Sequence, residues 1–216
     1  MERTIRDRTI VLASASPRRR ETLERLGFPL VLRPTDSDES VADRLPVPER
    51  VVELAALKAR AAAASPGAAG APDGRWVLGA DTLVALDGIA YGKPSGEEEA
   101  GNMLRALAGR EHEVATGLAL IDLDSGRLFT ALSETLVRFA PMSEGEISAY
   151  LATGEWRGAA GAYRIQDRAA FFIDRVDGSF SGVVGLPIRE LYVILRRSAY
   201  PFTGIPPVSG GSAREP

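Results

Sequence analysis

Three arginines, Arg18, Arg19 and Arg20, follow Ser14-Ala15-Ser16-Pro17 where a helix reads as beginning. An apolar run ending at Ala13 leads into this short serine-rich turn. Ser16 suits the N-cap, Pro17 the first helical position and Gly27 the position just past the last turn. A helix N-terminus carries about half a positive charge on unpaired N–H groups, so cations in its first turn are unfavourable unless an anion joins them. Helix-end amides, the hydroxyls of Ser14 and Ser16, and guanidinium forks together suit a phosphate. A charge run splayed into water is the competing reading; the strand–turn–helix context favours the phosphate.

Further residues along the chain could act on such a ligand. Asp81 ends an apolar run, Trp76-Val-Leu-Gly-Ala80, where a carboxylate can serve as general base or metal ligand, and where a turn-forming aspartate is the plainer reading. Asp38 and Glu39 lie in an acidic loop that by itself reads as solvated; joined with phosphates, such hard oxygen ligands suit Mg²⁺ or Mn²⁺. Lys58 sits mid-helix among alanines and alone reads as a surface residue. Lys93 stands between Gly92 and Pro94, and the proline holds it extended, which gives it a fixed direction. His112, the single histidine, reads as structural, and one histidine with no cysteine excludes multi-histidine and thiolate metal sites, disulfides and thiol catalysis.

The elements that must position these residues alternate in type. Strand runs are expected at Ile10–Ala13, Phe28–Leu32, Trp76–Leu86, Ile89–Tyr91, Val114–Leu123, Leu128–Phe139 and Ala169–Val176. Helices are expected after Ser16, from Pro48 through Arg60, over Glu97–Leu107, from the Ser143/Glu146 capping box to Gly154, and over Ile188–Arg197. Asp87-Gly88 is a two-residue hairpin signal. Several strands are hairpin-linked while helices interleave, which predicts an α/β fold with a mixed, partly antiparallel sheet and flanking helices. At 216 residues with 45% hydrophobic content the chain has ample core, and residues 8–200 read as one domain with a disordered tail over 201–216 and a flexible loop over Ser65–Arg75. The apolar run near the N-terminus is too short for a signal peptide and no run approaches a membrane span, so the expected location is the cytoplasm. A net charge of −3 lacks the basic footprint of a nucleic-acid binder, so any anion site is a local basic pocket.

Read in order, these marks resemble the Maf family of nucleoside triphosphate pyrophosphatases. They are Leu12-Ala-Ser14-Ala-Ser16-Pro17-Arg18-Arg19, Asp38-Glu39, Lys58-Ala59, Gly79-Ala-Asp81-Thr82, Gly92-Lys93-Pro94, Ala160-Gly161-Ala-Tyr163-x-Ile165-Gln166 and Val184-Gly185-Leu186-Pro187. The resemblance implies hydrolysis of a nucleoside triphosphate to monophosphate and pyrophosphate with a divalent cation (Mg²⁺ or Mn²⁺). It also implies two lobes around a nucleotide-binding cleft, with a homodimer as a common assembly. By position, Asp81 would activate water for attack on the α-phosphorus, and Glu39 would join it as metal- or water-positioning carboxylate. Arg18, Arg19, Lys58 and Lys93 would grip the triphosphate beside Ser14 and Ser16. Arg18-Arg19, Asp81-Thr82 and Ile165-Gln166 side with the branch acting on dTTP and UTP rather than the branch acting on 7-methyl-GTP, and the Gln166 amide can pair with a pyrimidine edge as donor and acceptor. The chain departs from that branch at Ala159, where a lysine is usual, and at Asp167, where a glycine is usual; Arg157 and Arg164 stand nearby as cations of different reach. The alternative function is a nucleotide-binding regulator of division without turnover, for which an intact Asp81, Glu39, Lys58 and Lys93 would be superfluous.

Overall fold

The computed structural model describes residues 5–35, 40–65 and 74–202. Asp38 and Glu39, most of the Ser65–Arg75 loop and nearly all of the 201–216 tail lie outside the described residues.

Strand β1 (Ile10–Leu12) is wholly buried and has parallel neighbours on both sides, β2 (Leu30–Leu32) and β3 (Trp76–Leu86). A strand covered on both faces can be continuously apolar, and Ile-Val-Leu meets that demand. Helix α1 (Pro17–Arg25) follows β1, and helix α2 (Val47–Ala64) joins β2 to β3. From β3 onward pairing turns antiparallel: β4 (Ile89–Tyr91) folds back on β3, β5 (Glu111–Asp122) runs along its other edge, then β6 (Leu128–Phe139) and β7 (Ile173–Asp177). The result is a seven-stranded mixed sheet of order β2-β1-β3-β5-β6-β7 with β4 off the path, flanked by helices α3 (Glu97–Leu107), α4 (Glu144–Ala152), α5 (Phe180–Val184) and α6 (Ile188–Arg197). The mixed α/β fold expected from the element pattern is therefore found.

Strand β3 organises the molecule because its two faces serve different partners. Its alternate residues point to opposite sides of the sheet. On one side Gly79, Asp81 and Leu83 meet α2. A Cβ on Gly79 would sit 2.0 Å from the Ala55 carbonyl oxygen, and one on Gly117 of β5 would sit 2.3 Å from that of Val51. Helix α2 lies this close because its inner face is Ala55, Ala56, Ala59 and Ala62, all buried. On the other side two cores divide the length of β3. Leu78 and Ala80 join Leu118, Leu120 and α6 in one; Val84 and Leu86 join Val114, α3 and α4 in the other. Thr82 and its cross-strand partner Thr116 fall between the two.

Local signals are mostly realised. Asp87 and Gly88 both take positive φ in the β3–β4 turn. Ser143 and Glu146 form a reciprocal capping box, and Gly27, at φ 79°, ends α1. The strand expected over Ala169–Val176 starts later: Arg168–Phe172 winds as a 3₁₀ turn and only Ile173–Asp177 pairs with β6. Ala169 and Phe172 pack into the core while Phe171 is 84% exposed, a three-residue period that fits 3₁₀ winding and not a strand. Five-residue α5, capped by Ser179 accepting from the Gly182 N–H, was not foreseen from the sequence. Among the described residues no helix is long and apolar enough to cross a membrane.

Candidate active site

Beyond Leu12, which pairs with Leu78, β1 turns away into the 13–16 loop while β3 continues, paired along its other edge with β5. Asp81 and Thr82 thus emerge just past the carboxyl end of β1, beside the first turn of α1. A cleft of about 950 Å³ opens there. Ser14, Ser16, Arg18, Arg19, Lys58, Asp81, Thr82, Lys93 and Gln166 all line it. The structure thus brings together the sequence-expected site residues apart from Asp38 and Glu39, which lie outside the described residues.

Lys58 corrects the surface reading drawn from its alanine-rich surroundings. Its Nζ donates to Asp81 Oδ1 at 2.6 Å, and the side chains of Lys58 and Asp81 are only 13% and 11% exposed. The contact follows from the two glycines: with no Cβ at Gly79 or Gly117, α2 lies flat on the sheet and Lys58 reaches the carboxylate one alternation along β3.

Arg19 is buried, and its guanidinium gives Nε to Gly185 O at 2.8 Å, Nη1 to Ser14 Oγ at 3.0 Å and Nη2 to Thr82 Oγ1 at 3.0 Å. Three of the roughly five donors of a guanidinium are thus committed to protein acceptors. The bonds run on: Thr82 Oγ1 lies 2.9 Å from Thr116 Oγ1, whose hydroxyl donates to Gly182 O at 2.8 Å. This chain crosses the seam between the two cores and ties α1, β3, β5 and α5 together. Arg19 was expected as a triphosphate grip; its geometry makes it first a brace of the cleft wall.

Ser16 occupies the N-cap position of α1, but its side chain makes no capping bond. Ser14 Oγ instead accepts the Ser16 N–H at 3.2 Å and shapes the turn. Arg20 faces solvent, paired with Glu24 at 2.8 Å. Lys93 is exposed on the rim, where the Gly161 N–H donates to Gly92 O at 3.1 Å and pins the strand end that carries it. Gln166 is exposed and donates to Asp167 Oδ2 at 3.3 Å.

Behind the wall His112 is structural, as expected. Its Nε2 lies 2.9 Å from the Tyr163 hydroxyl, and its Nδ1 is buried with no hydrogen-bond partner among the described residues. Burial pushes its pKa from 6.5 down to about 4. The unfolded chain therefore binds a proton that the native state refuses between those values. Stability is present in full above about pH 6.5 and declines as pH falls toward 4, by up to about 3 kcal/mol. Asp122, held down to about 2 chiefly by hydrogen bonding from Arg75, acts in a lower window, its contribution present above its ordinary value and fading as pH drops through 2. Urea midpoints measured from pH 7.5 to pH 4 should show the histidine-linked loss, and His112→Gln should flatten it.

A divalent cation is implied by the resemblance. Among the described residues no three acidic or histidine side chains gather into a protein-only cage. Asp81, one of the carboxylates that line the cleft, has Oδ1 engaged by Lys58, and cationic side chains line the same cleft. Such a donor set fits an ion like Mg²⁺ that takes one or two carboxylates and completes its shell with water and substrate phosphates.

Comparison with known proteins matches residues 9–198 to the family described as Maf-like protein. A dTTP/UTP pyrophosphatase of Burkholderia lata is 46% identical over 90% of this chain and 95% of its own length. Those of Pelotomaculum thermopropionicum and Treponema denticola are 44% and 39% identical, each over 88% of this chain and 97% of their own. Among solved structures, a nucleoside-triphosphatase / dITP/XTP pyrophosphatase from Mycobacterium abscessus is similar at a TM-score of 0.38 and 13% identity, over 62% of this chain and 75% of that one. Matched from β1 through α6, with the serine–arginine turn, Lys58, Asp81 and Lys93 gathered on one cleft, the chain belongs to the Maf family.

Proposed function

We propose that the chain is a nucleoside triphosphate pyrophosphatase of the cytoplasm, its working unit spanning residues 8–200, that hydrolyses dTTP and UTP to the monophosphate and pyrophosphate. The observation that carries this reading is the Lys58–Asp81 pair at 2.6 Å in a cleft lined with arginine and lysine. Binding alone needs cations; a largely buried carboxylate oriented by an ammonium is what a reaction with water needs. A non-catalytic regulator gains nothing from it.

In the reaction, the Asp81 carboxylate accepts a proton from water as the water oxygen bonds to the α-phosphorus. The bond from that phosphorus to the bridging oxygen breaks, and pyrophosphate departs with the bridging oxygen. Lys58 fixes Oδ1 of Asp81 and so fixes the direction of the remaining oxygen. Arg18 and Lys93 offset phosphate charge, and Arg19, through Ser14 and Thr82, holds the wall in shape. Positioning and charge neutralisation carry most of such a displacement. A divalent cation, held by Asp81 and by Glu39, would supply further neutralisation of the phosphate oxygens. Gln166 and Thr82 are the polar groups proposed to meet the pyrimidine.

The test is a panel of dTTP, UTP and 7-methyl-GTP with Mg²⁺ or Mn²⁺, with pyrophosphate and orthophosphate quantified separately. The expected result is one pyrophosphate per monophosphate from dTTP and UTP. Orthophosphate as the primary product would overturn the reading.

A further inference from the structure

The loop from Arg157 to Asp167 brings a second guanidinium to Arg18. Arg18 Nη2 donates to the Gly158 carbonyl at 3.3 Å, and Arg164 Nη2 donates to the Arg157 carbonyl at 2.9 Å. The two acceptors are consecutive along the chain, so two like charges are tethered side by side, and both line the cleft. Burial first, and the Arg164 charge second, push the Arg18 guanidinium below its ordinary range. Arg164 Nε is buried with no hydrogen-bond partner among the described residues. Asp167, with an oxygen 3.9 Å from Arg164 Nη1, and Glu21 on α1 offset the pair only in part. Arg157 is engaged otherwise, its guanidinium stacked over the Trp156 ring at 4.8 Å from the centroid. Ala159, between the tethering carbonyls and a short 3₁₀ turn over Ala160–Ala162, is buried and contributes no charge.

Adjacent, partly desolvated guanidiniums with an unsatisfied donor are unfavourable on their own and become favourable around an anion. We propose that Arg164 is a substrate-binding residue which, with Arg18, forms a seat for a phosphate group of the bound nucleotide. Of the two nearby arginines, the geometry selects Arg164 and not Arg157. Asp167 tunes the seat: its carboxylate competes with the phosphate for Arg164 and takes the Gln166 amide at 3.3 Å. This inference rests on the pyrophosphatase reading for the identity of the ligand, but its test needs no turnover.

Binding of inorganic pyrophosphate to the full chain is measured by calorimetry in Arg164→Gln, Arg164→Lys, Arg157→Gln and Asp167→Asn, with thermal unfolding of each followed in parallel. Loss of one charge-assisted contact should raise Kd about tenfold in Arg164→Gln. Lysine at 164 should restore part of it, Arg157→Gln should shift Kd by less than about threefold, and Asp167→Asn should tighten binding. Each variant should unfold within a few degrees of the parent. An unchanged Kd in Arg164→Gln, or equal losses in the 157 and 164 variants, overturns the seat. If the parent releases pyrophosphate from dTTP while Arg164→Gln binds normally, the seat alone fails. If no pyrophosphate is released while the Arg164 dependence holds, the functional reading fails and the seat stands.

Discussion

Asp81→Asn lowers the rate of pyrophosphate release from dTTP by about a thousandfold, the usual scale for removing a positioned general base. The variant separates chemistry from architecture. An asparagine oxygen can still accept from Lys58 Nζ, so the contact now made at 2.6 Å keeps a partner. What it cannot do is take a proton from water. Asp81→Ala would be a poorer experiment, because removing one member of a largely buried ion pair strands the other and mixes a folding penalty of a few kcal/mol into the rate. The measurement is steady-state pyrophosphate release alongside thermal unfolding. A rate within tenfold of the parent, with the fold intact, would remove Asp81 from the role of base.

The largest effect on stability is expected at Gly79. An added methyl group would stand 2.0 Å from the Ala55 carbonyl oxygen and 2.9 Å from the Ala59 nitrogen, both of them backbone atoms of α2. No side-chain rotation relieves such an overlap; the helix must lift from the sheet. Overpacking of this kind costs about 3 kcal/mol, read as a fall in the urea midpoint of Gly79→Ala. Activity should fall further than the folded fraction does, because the same displacement withdraws Lys58 from Asp81. Gly117→Ala, at 2.3 Å from Val51 O, should behave alike. A variant of normal stability with a full rate would show that α2 is free to shift without consequence.

These two residues also mark where sequence reasoning stops. Features set by neighbours in the chain were legible: Gly27 ending α1, Asp87-Gly88 turning β3 into β4, Ser143 boxed with Glu146. The fold class followed from the alternation of elements. The 3₁₀ turn at Arg168–Phe172 was misread because its apolar residues run directly into those of β7, and a run alone does not reveal its period. Lys58 was illegible as a buried partner of Asp81 because the contact depends on how closely a helix can approach a sheet, which two distant glycines decide. The arginine run illustrates the same limit. Its position raised the expectation of an anion site, yet not of Arg19 bracing Gly185 or of Arg18 standing beside Arg164.

The hydroxyl chain from Arg19 to Gly182 has a polarity. The Gly182 carbonyl can only accept, so the Thr116 proton is spent on it; Thr82 must then give its own proton to Thr116 while receiving one from Arg19. Every proton along the seam therefore points inward, away from the cleft. In the proposed complex Thr82 could meet a ligand only with a lone pair or its methyl group, so it would accept from N–H and O–H groups and have no proton to give a carbonyl. The imide N–H shared by thymine and uracil is a group of that kind, and a base offering a bare ring nitrogen in its place would find no hydrogen there to receive.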